Sequence, residues 1–257
     1  AQIEHALFDF DGTLSLIRQG WQQVMVPMMV DILMQTPRHE SRQELARIVE
    51  QFVGETTGKQ TIFQMMLLQD HVKQRGGEPL DALDYKRRYL DLLWEHIAHR
   101  VDDLKAGRIL RDNLLVSGSV AMLDALAARG VSCYLASGTD IEYVRDEAEA
   151  LGLASYFGDR IYGALDDWQN YSKAMVIEQI LRQNQLQGPS LATFGDGFVE
   201  IENTVDVGGI AVGVASDEVH RHQVDAWKRQ RLIRAGAHLI VPDFCETEQL
   251  LDLLLEL

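Results

Sequence analysis

The chain has 257 residues, of which 46% are hydrophobic and 25% are charged, and its formal net charge at pH 7 is −15. This composition is typical of a globular protein with one large domain or two smaller ones. The negative charge argues against nucleic acid or an anionic membrane surface as the main partner, because both attract basic patches.

The sequence offers few signals for cellular location. No apolar stretch approaches the roughly 20 residues of a membrane span. The two cysteines, Cys133 and Cys245, do not suggest a disulfide framework, so a cytoplasmic protein is predicted. Because the chain begins at Ala1 rather than Met, we interpret it as trimmed or as part of a longer polypeptide, and a fusion to another domain stays open.

The first predicted element is a buried strand over residues 3–10, which leads into the sequence Asp-Phe-Asp-Gly-Thr. Residues 18–105 then change in character. Four segments repeat apolar residues at helical spacing, and loops that contain Pro or Gly separate them. This pattern predicts a domain of four helices inserted directly after the first strand.

From about residue 110 onwards, apolar runs of strand length alternate with amphipathic helical segments. Such alternation is typical of parallel βαβ units. The predicted fold is therefore α/β, with a doubly wound, Rossmann-like parallel sheet as its core. We assign residues 1–17 and 106–257 to this core and residues 18–105 to the helical insert.

Four polar motifs follow predicted strands or begin a predicted helix. They are Asp9 with Asp11, Ser137 with Gly138, Lys173, and Asp196 with Glu200. Each motif alone is an ordinary turn or helix cap. Since ligands of doubly wound sheets bind at the carboxyl ends of the strands, the four together predict one shared site. Such a site would also compensate the charge of Asp9, which stands among apolar neighbours.

These motifs read "DFDGT", the serine of "ASGT", the lysine of "YSKAM", and "GDGFVE". In this order they resemble motifs I to IV of the haloacid dehalogenase (HAD) superfamily, in its phosphatase branch. The helical insert after the first motif is similar to the C1 cap of phosphoglycolate phosphatase and β-phosphoglucomutase relatives. One departure is Glu200, which stands where the family more commonly has aspartate.

The resemblance implies a hydrolase that acts on a small phosphorylated metabolite through an aspartyl-phosphate. Asp9 would be the nucleophile, and Asp11 would act as general acid and then as general base. The implied Mg²⁺ ligands are Asp9, the Asp11 main-chain carbonyl, Asp196 and, through water, Glu200. The residues implied to hold the phosphoryl group are Ser137, Gly138 and Lys173.

Two other functions stay open on the sequence alone. A phosphomutase of the β-phosphoglucomutase type would share the first half-reaction, and no sequence feature separates it from a phosphatase. A non-catalytic binding protein could also use the same scaffold, although the presence of all four polar motifs argues against this.

Substrate specificity is expected to reside in the helical cap. The segment "FVGETTGKQT" joins two of its predicted helices, and in C1-capped relatives a loop at this place reaches over the active site. This implies that Thr56, Thr57 and Lys59 contact the leaving group; the alternative is a plain loop with Thr57 as a helix cap. His220-Arg221-His222 is interpreted as a loop or helix start rather than a metal site, and Lys228 as part of a basic face explained by solvation and salt links.

Overall fold

The computed structural model describes residues 3–256, and the chain divides into two compact units. One unit, here called the core unit, comprises Ala1–Gln19 and Val101–Leu257. The other, here called the helical unit, comprises Gly20–Arg100. Its bounds differ from the predicted insert, 18–105, by two residues at one end and five at the other.

Four helices follow the first strand of the chain. They are α1 Gln22–Leu33, α2 Arg42–Thr56, α3 Thr61–Gln74 and α4 Ala82–Lys105, the last of which continues into the core unit. Methionines contribute to the interior of this unit, since Met25, Met29 and Met65 are almost fully buried. Their flexible side chains fill irregular gaps between helices, which explains the Met-rich pattern without a cofactor.

The core unit is built on a six-stranded sheet. Its strands are β1 His5–Phe8, β2 Ser132–Asp140, β3 Ile161–Ala164, β4 Leu191–Gly195, β5 Ile210–Val214 and β6 Leu239–Val241. Their order is β3-β2-β1-β4-β5-β6, and all neighbours are parallel. The predicted doubly wound parallel sheet is confirmed.

Among residues 101–256, seven further α-helices accompany this sheet. They are α5 Ser119–Ala128, α6 Ile141–Ala150, α7 Ala154–Phe157, α8 Lys173–Asn184, α9 Phe198–Asp206, α10 Ala226–Arg234 and α11 Thr247–Glu256. Every residue of β4 and β5 is buried. This is expected of parallel strands that helices cover on both faces, and it explains why these strands are apolar throughout.

Four phenylalanines pack together near the ends of β1 and β4. The ring of Phe8 stacks on that of Phe194, with centroids 4.6 Å apart, and Phe157 and Phe244 meet Phe8 edge-on. All four side chains are fully buried. Because such close-packed interiors resist displacement, the residues that follow the two strands are held in fixed positions.

Between residues 3 and 256, no helix combines the length and the apolar character that crossing a membrane would require.

Candidate active site

The predicted site residues of the core unit follow three adjacent strands of the sheet. Asp9 and Asp11 follow β1, Ser137 and Gly138 lie near the end of β2, and Asp196 follows β4. The chain builds β1, β2 and β3 towards one edge and then returns to place β4 on the other side of β1. The crevice of a doubly wound sheet forms at such a reversal, so these residues lie where such folds usually bind their ligands.

Lys173 provides the central charge of the site. It is the first residue of α8, whose start is capped by the Ser172 side chain. The Lys173 ammonium donates to Asp9 Oδ1 at 2.7 Å and to Glu200 Oε2 at 2.8 Å. Burial would lower the pKa of Lys173, but the two carboxylates outweigh burial and hold that pKa above its usual range. The lysine is therefore a fixed cation.

Asp9 is the buried anion that the ammonium compensates. Its side chain is only 8% exposed. Burial raises the pKa of Asp9 well above its usual range, and the positive charge of Lys173 opposes that rise. The Asp9 backbone N–H donates to the Phe194 carbonyl at 2.9 Å, so the pairing of β1 with β4 fixes the position of the carboxylate.

Glu200 reaches Lys173 because its side chain turns back over the start of α9. Its Oε1 accepts the Gly197 backbone N–H at 2.9 Å, while Oε2 receives the lysine. A Cβ atom at position 195 would overlap this carboxylate, so only glycine fits there. The longer side chain at the family's usual aspartate position thus has a defined place in the structure.

Asp11 is held by the hydroxyl groups at the end of β2. Its Oδ2 accepts from Thr139 Oγ1 at 2.8 Å and from Ser137 Oγ at 3.3 Å. Within residues 3–256 its Oδ1 receives no hydrogen bond, and it lies 3.9 Å from Arg18 Nε. Partial burial raises the pKa of Asp11, although Arg18 opposes the rise. Gly138 stands beside this contact, where the register of β2 against β3 is irregular.

Both the backbone and the side chain of Asp196 are held in place by polar contacts. Its backbone N–H donates to Thr13 Oγ1 at 3.0 Å, and its Oδ2 lies 2.9 Å from the Lys228 ammonium. Lys228 also donates to Glu218 Oε1 at 2.9 Å. Burial would lower the pKa of Lys228, but Asp196 and Glu218 outweigh it and raise that pKa. The predicted salt links of Lys228 are present, but its predicted solvation is wrong, because helix α10 directs this side chain inward towards two acidic partners.

Arg18 belongs to a second buried ion pair next to Asp11. Its Nη2 donates to Glu147 Oε1 at 2.7 Å, and its guanidinium lies over the Tyr143 ring. Both partners are at least 93% buried. Burial raises the pKa of Glu147 to about 7, with Arg18 opposing the rise.

Several residues of the site were not found from the sequence. They are Thr13, Thr139, Glu147, Tyr171, Glu218 and Lys228. The Tyr171 hydroxyl donates to the Ser137 carbonyl at 2.6 Å and so connects the start of α8 to β2. Thr13, Thr139 and Tyr171 lie within the motifs already identified, so motif membership was an available signal. The other three are separated from the motifs along the chain, and only folding brings them near.

The donor set at the strand ends suits a hard divalent cation. Oxygen atoms of Asp9, Asp196 and Glu200 all lie within 4.8 Å of one another. Three carboxylates so close together repel each other, and the burial of Asp9 increases the cost. Mg²⁺ prefers such oxygen ligands and is typically held by one or two carboxylates together with water. The residues present therefore fit Mg²⁺.

The three predicted specificity residues lie at the end of α2 in the helical unit and just beyond it. The Thr56 hydroxyl donates to the Phe52 carbonyl at 2.7 Å, and the Thr57 hydroxyl donates to the Val53 carbonyl at 2.9 Å. Thr57 is the C-cap of the helix, and the Lys59 backbone N–H donates to the Thr56 carbonyl. The two hydroxyls thus satisfy carbonyl groups at the helix end.

Comparison with known proteins identifies the family of the chain. A model of haloacid dehalogenase-like hydrolases matches residues 3–202, and the chain belongs to this family of hydrolases. A 5'-nucleotidase of Pseudomonas aeruginosa is 25% identical over 222 residues, which are 84% of this chain and 87% of that protein.

Two solved structures show the same fold. One is described as a predicted phosphoglycolate phosphatase from Haemophilus somnus 129PT, with a TM-score of 0.64 and 16% identity over 98% of this chain and 99% of that one. The other is described as a predicted phosphatase from Clostridium acetobutylicum, with a TM-score of 0.63 and 17% identity over the whole of both chains. At these identities the likeness establishes the architecture and nothing finer.

Proposed function

We propose that the chain is a Mg²⁺-dependent phosphatase that acts on a small phosphorylated metabolite through an aspartyl-phosphate. The observation that carries the proposal is the buried Lys173 ammonium, held between Asp9 and Glu200 at the ends of β1 and β4. Phosphoryl transfer asks a protein mainly for positioning and for neutralisation of charge. A fixed cation beside a fixed carboxylate supplies both.

In the first step, a carboxylate oxygen of Asp9 attacks phosphorus, and the bond between phosphorus and the leaving oxygen breaks. Asp11 donates a proton to that oxygen, so the leaving group departs as an alcohol. The hydroxyls of Thr139 and Ser137, at the end of β2, hold the carboxylate of Asp11, and this fixed position supports the proposed role in proton transfer.

In the second step, water attacks the phosphorus of the aspartyl-phosphate, and Asp11 takes the proton of that water. Inorganic phosphate leaves, and the Asp9 carboxylate is regenerated. Lys173, Ser137 and the Gly138 backbone N–H are proposed to hold the phosphoryl oxygens throughout. The proposal for Ser137 requires its hydroxyl to turn from Asp11 towards the substrate.

Asp9 and Asp196 would hold Mg²⁺ with their carboxylates, Asp11 would do so with its main-chain carbonyl, and Glu200 would act through water. When bound, the ion would offset the negative charge of the carboxylates and of the phosphoryl group.

The leaving group is proposed to be recognised by the helical unit acting as a cap, with Thr56, Thr57 and Lys59 as candidate contacts. The likeness to a 5'-nucleotidase makes nucleoside 5'-monophosphates the first substrates to test. Thr57→Ala and Lys59→Ala should raise KM for the preferred substrate and leave the hydrolysis of acetyl phosphate within a few-fold, because the core alone acts on the phosphoryl group. Equal losses on both substrates would contradict a role in specificity.

The reaction can be tested by hydrolysis of p-nitrophenyl phosphate and of a panel of phosphorylated metabolites. Treatment with EDTA should abolish the release of phosphate, and Mg²⁺ should restore it. Asp9→Asn should remove both turnover and the phosphoenzyme, and Asp11→Asn should lower kcat by roughly a hundred- to ten-thousand-fold. Asp206→Asn, the same change at an exposed residue at the end of α9, is the matched control and should have little effect.

Two outcomes would overturn the proposal. Full turnover in EDTA, with metal removal verified, would exclude Mg²⁺ dependence, and near-normal rates in Asp9→Asn would exclude the covalent mechanism. Conversion of a sugar phosphate to its isomer without release of phosphate would instead establish the mutase alternative.

A further inference from the structure

Outside the candidate active site, three potential metal ligands of different chemistry converge between two loops of the core unit. His222 lies in the loop after β5, and Asp243 and Cys245 lie in the loop after β6. One donor atom from each residue lies within 4.8 Å of both others. The sequence suggested a loop without metal at His222, because nothing in it shows that residues 243–245 lie next to that loop.

The distances resemble those of a metal site. His222 Nδ1 lies 2.8 Å from Asp243 Oδ2 and 3.7 Å from Cys245 Sγ. Tetrahedral Zn²⁺ with ordinary bond lengths would separate its nitrogen and sulfur ligands by about 3.6 Å and its nitrogen and oxygen ligands by about 3.4 Å. The nitrogen and sulfur atoms are already at this spacing, and the nitrogen and oxygen atoms need to move apart by roughly 0.6 Å.

The orientation of Asp243 also suits an ion. The Cys245 backbone N–H donates to Asp243 Oδ1 at 2.9 Å, which fixes the carboxylate and turns its Oδ2 towards His222. The Asp243 side chain is only 8% exposed, whereas His222 and Cys245 are exposed to solvent. The carboxylate is therefore held in place, and the other two ligands remain accessible to an ion that arrives from solution.

We propose that His222, Asp243 and Cys245 form a binding site for a borderline transition-metal cation, with Zn²⁺ as the best match. Imidazole, thiolate and carboxylate are the ligands that Zn²⁺ takes, whereas Mg²⁺ prefers oxygen alone. Three protein ligands leave the fourth tetrahedral position for water. Binding releases the thiol proton of Cys245, because the thiolate is the ligand. The bound ion would connect the loops that follow β5 and β6.

The same loop supplies a matched control. His220 Nδ1 lies 3.2 Å from Asp217 Oδ2. Neither residue belongs to a group of three converging ligands among residues 3–256. His220 is thus a histidine with one carboxylate partner, and its replacement should not affect metal affinity.

The test is titration of the full chain with Zn²⁺ and with Co²⁺, after stripping with EDTA and in excess Mg²⁺, which would compete for the oxygen site proposed above. One equivalent of Zn²⁺ should bind, and Co²⁺ should produce a thiolate-to-metal charge-transfer absorption. Cys245→Ser should remove this absorption and weaken Zn²⁺ binding roughly 100-fold or more, since even ligand-supporting contacts affect affinity 10- to 100-fold. His220→Ala should bind as the unmodified chain does.

A second variant distinguishes the loss of a metal ligand from misfolding of the chain. His222 has a positive φ of 69°, which asparagine tolerates better than most residues. His222→Asn should therefore keep the far-UV circular dichroism of the parent and lose Zn²⁺ affinity. Zn²⁺ should also protect Cys245, but not the buried Cys133, from alkylation as read by mass spectrometry. Failure to bind one equivalent in excess Mg²⁺, or unchanged affinity in both ligand variants, would overturn the proposal.

Discussion

Replacement of Lys173 by methionine tests the central electrostatic argument. The variant keeps a side chain of similar length but removes the ammonium that lies 2.7 Å from Asp9 and 2.8 Å from Glu200. Both carboxyl groups would then be buried without their cation. Loss of one partner from a buried ion pair typically costs about 3–5 kcal/mol of unfolding free energy. We expect a loss of this size in EDTA, and a fall in kcat of roughly 10²- to 10³-fold with Mg²⁺ present.

The loss should depend on pH in a defined direction. Without Lys173 the pKa of Asp9 rises further, so the folded state holds its proton more tightly than the unfolded state does. The stability of the variant should therefore fall more steeply than that of the parent as the pH is raised from 5 to 8. Urea unfolding in EDTA across this range measures the difference. Lys105→Met, which removes a half-exposed ion pair with Asp146, is the control and should cost at most about 1 kcal/mol. A Lys173→Met variant that matched this control in stability and kept kcat within tenfold would refute the reasoning.

Two more predictions concern the buried pairs that flank the site. Lys228→Met should destabilise the chain in EDTA by about 3–5 kcal/mol. Added Mg²⁺ should raise the unfolding free energy of this variant by more than it raises that of the parent, because the ammonium 2.9 Å from Asp196 Oδ2 no longer repels the ion. An equal gain in both proteins would contradict this. The pKa of Glu147, raised to about 7 in the folded chain, lies above its unfolded value near 4.5, so its contribution to stability is present at acid pH and is lost as the pH rises through 7. Glu147→Gln should remove this part of the pH dependence, which amounts to at most about 3 kcal/mol between pH 4.5 and 7. If the unfolding free energy measured with urea keeps the same dependence on pH in this variant, Glu147 is already ionised in the parent.

The sequence alone was sufficient to predict the parallel sheet and the order of the polar motifs along the chain. Apolar runs of strand length alternate with amphipathic segments, and this periodicity depends only on local geometry and burial. The carboxyl ends of parallel strands meet at one edge, so Asp9, Asp11 and Asp196 could be expected to converge before any coordinates were known. The Met-rich interior of the helical unit was likewise readable from apolar spacing, because helix packing requires a continuous apolar face.

Tertiary structure alone decided which charges outside the motifs take part in ion pairs. Lys228 and Glu147 are ordinary polar residues of amphipathic helices in the sequence, yet each meets a partner far away along the chain, Asp196 and Arg18 respectively. The same holds for His222 and Cys245, which stand 23 positions apart and contact each other only through the packing of two loops. Periodicity reports which face of an element is buried, but it carries no information about which side chain of another element that face will meet. Pairing between distant charges depends on the relative placement of whole strands and helices, and that placement arises only when the core packs.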